Sequence, residues 1–263
     1  MMIDEYMNRW GLLPDGPPIV TNAGRLLPVQ YNGMPAMLKI ATQEEEKLGA
    51  ALLDWWQGDG AARVLANDGA ALLLERAEGR RSLAKLAREG CDEDACRIIC
   101  AVVSKLHAPR PEQPPALTGL LEWFQGLEAS ATTHGGIFAI AGATARELLA
   151  SPQDVRVLHG DVHHGNILDF GQRGWLAIDP KGLVGERGFD YANLFCNPDP
   201  ETAVEPERFS RRVDVVAAAA DLDRRRLLQW ILAWAGLSAT WHLEDGSVPD
   251  TALAVAQLAL AKL

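Results

Sequence analysis

The chain has 263 residues, 48% of them hydrophobic and 23% charged, a balance that fits a soluble globular protein built as one large domain or two modest lobes. Its 35 acidic side chains outnumber 25 basic ones for a formal net charge of −10, which argues against nucleic acid as a partner because such binding needs a basic face. Residues 158–205 are acidic even against this background, a composition that favours a cationic small molecule drawn into an acidic cleft.

The opening MMIDEYMNRW is acidic and has no basic segment followed by an apolar one, so no signal peptide is expected and the cytoplasm is the predicted location. From about residue 17 the text turns strand-like: PPIV, TNAGR, LLPVQY and AMLKI, with Asn32-Gly33 between two apolar runs as a hairpin signal. Together they predict an antiparallel sheet. Lys39 lies inside the last of these strands, between Leu38 and Ile40. Residues 42–56, TQEEEKLGAALLDWW, predict a helix with Thr42 as N-cap and acids in its first turn. ALLLERA, residues 71–77, is an apolar run of strand length that ends in charge.

Residues 82–107 read as helix, capped by Ser82 and interrupted at Gly90. Cys91, Cys96 and Cys100 fall on this stretch at helical spacing and Cys196 stands alone; all four are expected to be reduced, as buried thiols. A Pro-rich surface loop over 109–119 follows. Two helices broken at Gly135-Gly136 are predicted over 120–150, with Trp123 and Phe124 in the core. Beyond residue 206 the pattern is helical again, with Trp230, Trp234 and Trp241 spaced by four and seven as core residues. The final TALAVAQLALAKL is too short to span a bilayer and reads as a core helix, so no membrane association is expected.

Chemistry concentrates in residues 157–170, VLHGDVHHGNILDF, where a strand runs into a polar loop and leaves through Ile167-Leu168. Four residues separate Asp161 from Asn166, and a third candidate, Asp179, ends the apolar run WLAI after a turn at Gly174. Phosphoryl transfer calls for this set: a carboxylate against the attacking hydroxyl, and an amide oxygen with a second carboxylate to hold Mg²⁺ against phosphates. His159, His163 and His164 are also zinc-ligand types. Adjacent His163 and His164 diverge in an extended chain, however, and neither an HExxH pattern nor a nearby cysteine completes a zinc set.

The pattern H-x-D-x-x-x-x-N, followed by an apolar strand and Asp179, resembles the catalytic core of the kinase-like fold. Gly160 stands where protein kinases carry Arg, and HGDxHxxN resembles the loop of aminoglycoside phosphotransferases. RGWLAIDPKGLVGERGFDYAN, residues 173–193, and LSATWHLEDG, residues 237–246, are similar to the streptomycin 6-phosphotransferase branch of the aminoglycoside/hydroxyurea antibiotic resistance kinases.

The resemblance implies an α+β, two-lobed protein-kinase-like fold, with a small antiparallel β N-lobe at 1–78 and a larger, mainly helical C-lobe at 79–263. It implies an ATP-dependent kinase, with GTP as the other candidate donor and Mg²⁺ as metal, acting on an aminoglycoside hydroxyl, that of streptomycin at the 6-position, and giving antibiotic resistance. Asp161 would be the catalytic base, and Asn166 and Asp179 the metal ligands. Lys39, paired with Glu46, would hold the phosphates and Gly24 would lie in the loop over them, while backbone groups of Glu75 to Ala77 would bond adenine. Glu186, Glu244 and Asp245 would meet the cationic substrate, and His159 and Asp190 would support the catalytic loop. A monomer or weak dimer is expected. A kinase of a small metabolite hydroxyl (sugar, choline or amino alcohol) and a nucleotide-binding pseudokinase are the other readings.

Overall fold

In the computed structural model, residues 2–21, 24–40 and 44–263 are described. The first part holds helix α1 (Met2–Arg9), strands β1 (Leu13–Pro14), β2 (Ile19–Thr21), β3 (Gly24–Tyr31) and β4 (Met34–Ile40), helix α2 (Glu44–Trp56), and strands β5 (Val64–Asn67) and β6 (Ala71–Glu75). Their sheet has the order β1-β3-β4-β6-β5, with β2 paired to β3, and every pairing is antiparallel. The β3–β4 hairpin closes through Asn32 and Gly33, both at positive φ (50° and 75°), as the Asn-Gly signal predicts. The predicted N-cap Thr42 lies outside the described residues.

Strand periodicity decides which way Lys39 faces. Side chains alternate between the two faces of a strand, and on β4 Ala36, Leu38 and Ile40 are buried in one cluster with Leu27, Val29 and Leu73 under α1 residue Tyr6. Met37 and Lys39 therefore point to the opposite face, toward the rest of the chain. Leu26 and Leu72, the register partners of Lys39, share that face.

From Glu75 the chain crosses to helices α3 (Leu83–Arg88) and α4 (Asp92–Leu106). Ser82 caps α3 by accepting from the Lys85 N–H, and Gly90, at φ 92°, separates the two helices. One expectation is corrected here. Cys91 precedes α4 as its N-cap and is exposed, whereas Cys96 and Cys100 point into the core; all four cysteines are free thiols.

The 109–119 segment ends in strand β7 (Thr118–Gly119), followed by a helical turn α5 (Leu120–Trp123) and helices α6 (Gln125–His134) and α7 (Gly136–Ala150), the last two divided at Gly135. Strands β8 (Val155–Leu158), β9 (Ile167–Asp169), β10 (Trp175–Ala177) and β11 (Leu183–Glu186) frame the polar loop, and helices α8 (Pro200–Ala203), α9 (Pro206–Ala219), α10 (Arg224–Glu244) and α11 (Asp250–Leu260) complete the chain. The larger core is centred on α10: Trp230 and Trp234 are buried on it, Phe124 and Phe189 pack against Trp230, and α11 lies alongside. Among the described residues no helix is long and apolar enough to cross a membrane. The whole is α+β, a small antiparallel sheet followed by a larger helical part.

Candidate active site

Two small strand pairs bring the polar loop residues together. β8 pairs with β11, and β9 pairs with β10. Asn166 directly precedes β9 and Asp179 directly follows Ile178 at the end of β10, so the hairpin sets its two ends side by side; the Ile178 N–H donates to the Asn166 carbonyl at 2.9 Å. Asp179 sits at φ 59°, a left-handed conformation that a non-glycine residue adopts at a cost and that is concentrated at functional sites.

Asp161 is held by both carboxylate oxygens. The Asn166 side-chain amide donates to its Oδ2 (3.0 Å) and to its backbone carbonyl (2.9 Å), and the Asn193 amide donates to its Oδ1 (2.7 Å). Because the Asn166 nitrogen serves two acceptors, its Oδ1 is turned away from Asp161 and is available to a cation. Asn166 Oδ1 and the Asp179 carboxylate are hard oxygen ligands lining one cleft, which fits Mg²⁺ held by two protein groups with phosphate oxygens completing its shell. Among the described residues, no group of three or more His, Cys, Asp or Glu is arranged to hold a metal by protein ligands alone.

Lys39 reaches across from the sheet. Its Nζ lies 2.5 Å from Asp179 Oδ1 and 3.2 Å from Glu46 Oε1. Burial acts to raise the Asp179 pKa, but the charge and hydrogen bond of Lys39, with Lys181 nearby, outweigh it and hold the carboxyl below its usual range. Helix α2 approaches this segment closely: a Cβ on Gly49 would lie 2.1 Å from the Pro180 carbonyl oxygen.

Support for the loop comes from Asp190, which is buried. It accepts from the backbone N–H of His159 (2.9 Å) and Gly160 (2.7 Å), and its Oδ2 lies 2.7 Å from His107 Nε2. His159 is fully buried, with Nε2 bonded to the Ile178 carbonyl (2.8 Å) and Nδ1 accepting from the Asp161 N–H (3.2 Å). Desolvation lowers its pKa, against the nearby acids, so the neutral ring is favoured. His163 lines the cleft, its Nδ1 accepting from the Gly165 N–H (3.0 Å).

The cleft encloses about 750 Å³. Its far end is apolar, with Ile19, Leu26, Met37 and Leu72 on one side and Leu168 and Ile178 on the other, a slot suited to a flat ring. Glu75, Arg76 and Ala77 border it. The Glu75 N–H is taken by the Arg63 carbonyl (3.0 Å) and the Arg76 N–H by the Pro35 carbonyl (3.3 Å), whereas the Ala77 N–H has no hydrogen bond among the described residues. The Glu75 side chain is tied to Arg173 and to the Arg63 N–H. Gly24 opens β3 opposite Thr21; Asn22 and Ala23, between them, lie outside the described residues.

The expected substrate carboxylates lie apart from this cleft. Glu186 is corrected as a substrate contact: it is buried, with Arg226 bonded to both oxygens (2.6 Å each), Trp230 Nε1 donating to Oε1 (2.7 Å) and the Gln153 N–H to Oε2 (2.8 Å). An unpaired carboxylate at that depth would be costly, and these partners leave it no capacity for a ligand. Glu244 and Asp245 are exposed at the C-terminal end of α10.

Asn193 and Gly49 escaped the reading of the sequence. A glycine inside a helical pattern is the signal that could have found Gly49; Asn193 carried none beyond its place in the GFDYAN segment.

The chain is 51% identical over 245 residues to a streptomycin 3''-kinase from Klebsiella pneumoniae, covering 91% of this chain and 92% of the relative. A streptomycin 6-kinase from Streptomyces griseus is 32% identical over 283 residues, covering 99% and 87%. The aminoglycoside 3''-phosphotransferase from Streptomyces rimosus, solved in complex with ADP and streptomycin, superposes with a TM-score of 0.60 at 21% identity, over 90% of this chain and 97% of that one, a likeness of fold. The sequence model of the aminoglycoside/hydroxyurea antibiotic resistance kinases matches residues 9–246. The chain belongs to the aminoglycoside/hydroxyurea antibiotic resistance kinase family.

Proposed function

We propose that this enzyme transfers the γ-phosphoryl group of ATP to a hydroxyl of streptomycin, and that the acceptor is the 3''-hydroxyl. The observation that carries the reaction type is the meeting of Asp161, Asn166, Asp179 and Lys39 in one cleft with an apolar slot beyond them. The acceptor position rests on relatedness: the streptomycin 3''-kinase shares 51% of its residues with this chain, the 6-kinase 32%. The 6-hydroxyl, expected from residues 173–193 and 237–246, has the weaker support.

Residues 1–78 would supply the nucleotide-binding lobe and 79–263 the catalytic one. The adenine ring would occupy the slot against the Ala77 N–H, and Lys39, steadied by Glu46, would contact the phosphates. Mg²⁺ bound by Asn166 and Asp179 would neutralise phosphate charge. Asp161 orients the acceptor hydroxyl and takes its proton as the oxygen bonds to the γ-phosphorus and the bond to the ADP oxygen breaks. Glu244 and Asp245 offer exposed carboxylates to the guanidinium groups of streptomycin, which carboxylates bind in bidentate fashion.

The test is an ADP-release assay with Mg-ATP against streptomycin, other aminoglycosides, hydroxyurea, choline and simple sugars, with phosphorus NMR of the product. Streptomycin-dependent turnover with phosphate on the 3''-oxygen is expected. Phosphate on the 6-oxygen overturns the position, and turnover with choline or a sugar alone overturns the substrate.

A further inference from the structure

We propose that Asn193 is the positioning residue that fixes the Asp161 carboxylate for proton abstraction, and that Asn197 sets which end of the Asn193 amide faces it. The inference rests on the phosphotransferase reading above and concerns how its base is aimed.

Asn193 stands at the start of a 3-10 turn (Asn193–Cys196) and is buried. Its Nδ2 donates to Asp161 Oδ1 at 2.7 Å. An amide can be turned end for end with little change of shape, and the reversed form would set oxygen against a carboxylate oxygen. Asn197 prevents this: its own Nδ2 donates to Asn193 Oδ1 (2.9 Å) and to the Asn193 carbonyl (3.0 Å). An N–H at that place demands the oxygen end of Asn193, so the nitrogen end must meet Asp161.

Asp161 is thereby held at both oxygens by neutral amides, Asn193 on Oδ1 and Asn166 on Oδ2. One contact would leave the carboxylate free to swing about it, whereas two fix the plane of the group. Neutral donors suit a base, since a cation at either oxygen would lower its affinity for the incoming proton. About a quarter of the Asp161 side chain remains exposed, 28%, which leaves a face open to a hydroxyl. Placement at this level counts: a base must come within hydrogen-bond reach of the proton it takes, and a misplacement of about 1 Å can cost about 10²-fold in rate.

The same short segment carries both halves of the device. Asp190 fixes the backbone N–H groups of His159 and Gly160, and Asn193, three residues on, fixes the side chain of Asp161. Backbone and carboxylate are thus aimed from two successive 3-10 turns, Arg187–Tyr191 and Asn193–Cys196.

The experiment is a double-mutant cycle on the full chain, with Asn193→Ala, Asn197→Ala and Asp161→Asn. ADP release is followed with streptomycin and, separately, with water as the only acceptor. Asn193→Ala is expected to lower kcat by about 10- to 10²-fold while KM for ATP moves less than about twofold, with a smaller loss of the same kind in Asn197→Ala. In the Asp161→Asn background, Asn193→Ala should cost nothing further, because its effect passes through the carboxylate. A full additional loss there, or a fall in thermal midpoint with kcat preserved, overturns the proposal. A wild-type enzyme silent with streptomycin but releasing ADP into water overturns the substrate reading alone, and the cycle is then read on the water reaction. Silence in both overturns this inference as well.

Discussion

Lys39 Nζ and Asp179 Oδ1 stand 2.5 Å apart although they lie 140 positions apart in the sequence, and this contact joins the β-sheet to the loop after β10. Glu46 shares the same ammonium at 3.2 Å. Only 13% of the lysine side chain is exposed, and the two carboxylates hold it at the cleft where phosphates would lie. Lys39→Met should therefore lower kcat/KM for ATP by about 10²–10³-fold, the scale of removing one preorganised donor from a developing charge. It also leaves two carboxylates facing one another, so the thermal midpoint should fall at neutral pH. Steady-state kinetics with ATP varied decides the first point, and an unchanged kcat/KM would remove Lys39 from the phosphate site.

Asp161 offers the cleanest separation of chemistry from binding. Its carboxylate is bonded to the amides of Asn166 and Asn193, whereas the apolar residues that would hold the adenine come from other parts of the cleft lining. Asp161→Asn should cut kcat by about 10²–10⁴-fold, the usual worth of a positioned general base, with ADP affinity by calorimetry nearly unchanged. Loss of ADP binding together with turnover would mean that the carboxylate serves the fold.

How much of this could be read from residues follows the range of the signal. The β3–β4 hairpin, the capped helix at Ser82 and the break at Gly135 are written in local turn and cap chemistry, and each formed where its residues specify. Asp161, Asn166 and Asp179 could be singled out because their spacing suits phosphoryl transfer, and the β9–β10 hairpin brings all three to one cleft. Glu186 was misread because sequence shows a charge but not its partner: Arg226 and Trp230 are 40 and 44 residues away and meet it only through the packing of α10. Asn193 was overlooked for the same reason, since its meaning lies in a contact 32 residues distant. Cys91 was placed on the helix by periodicity, yet Gly90 at φ 92° starts α4 one residue later and leaves the thiol in solvent.

Gly49 is a packing requirement with a functional reach. It lies three residues beyond Glu46 on α2, and the Pro180 carbonyl directly follows Asp179 in the chain. A methyl group 2.1 Å from that oxygen cannot be accommodated, so Gly49→Ala must push the helix from the loop and pull Glu46 away from Lys39. Overpacking of this kind costs about 1–3 kcal/mol. The expected result is that loss in denaturant unfolding together with at least about a tenfold fall in kcat/KM for ATP, from misplacement of the phosphate-binding pair. In a helix interior, alanine is intrinsically favoured over glycine by about 1 kcal/mol, so a more stable and fully active variant would show that α2 does not dock as described.

His164 makes stability depend on pH. It is only 3% exposed, and neither ring nitrogen has a hydrogen bond among the described residues. Burial pushes its pKa down to about 3, with the positive charges of Arg212 and Arg88 and neighbouring His163 acting the same way and Asp199 opposing them. In the unfolded chain the group titrates near 6.5. Between these values the unfolded state binds a proton that the native state refuses, so stability is flat above the upper value and falls as pH drops below it. The slope is about 1.4 kcal/mol per pH unit for each such histidine, and His159, lowered by burial, adds in the same direction. Paired carboxylates act lower on the scale: Asp199, held down to about 2 against burial by Thr202 and Arg88, contributes stability that is lost only as pH falls below the ordinary carboxylate range. The loss from about pH 6.5 to 4.5 therefore belongs mainly to histidines. His164→Leu, which fills the space without nitrogens to desolvate, should keep its stability at about pH 8 and show a visibly shallower slope over that interval. Denaturant unfolding of both proteins across the range makes the comparison, and equal slopes would mean that the His164 ring is protonated in the folded state.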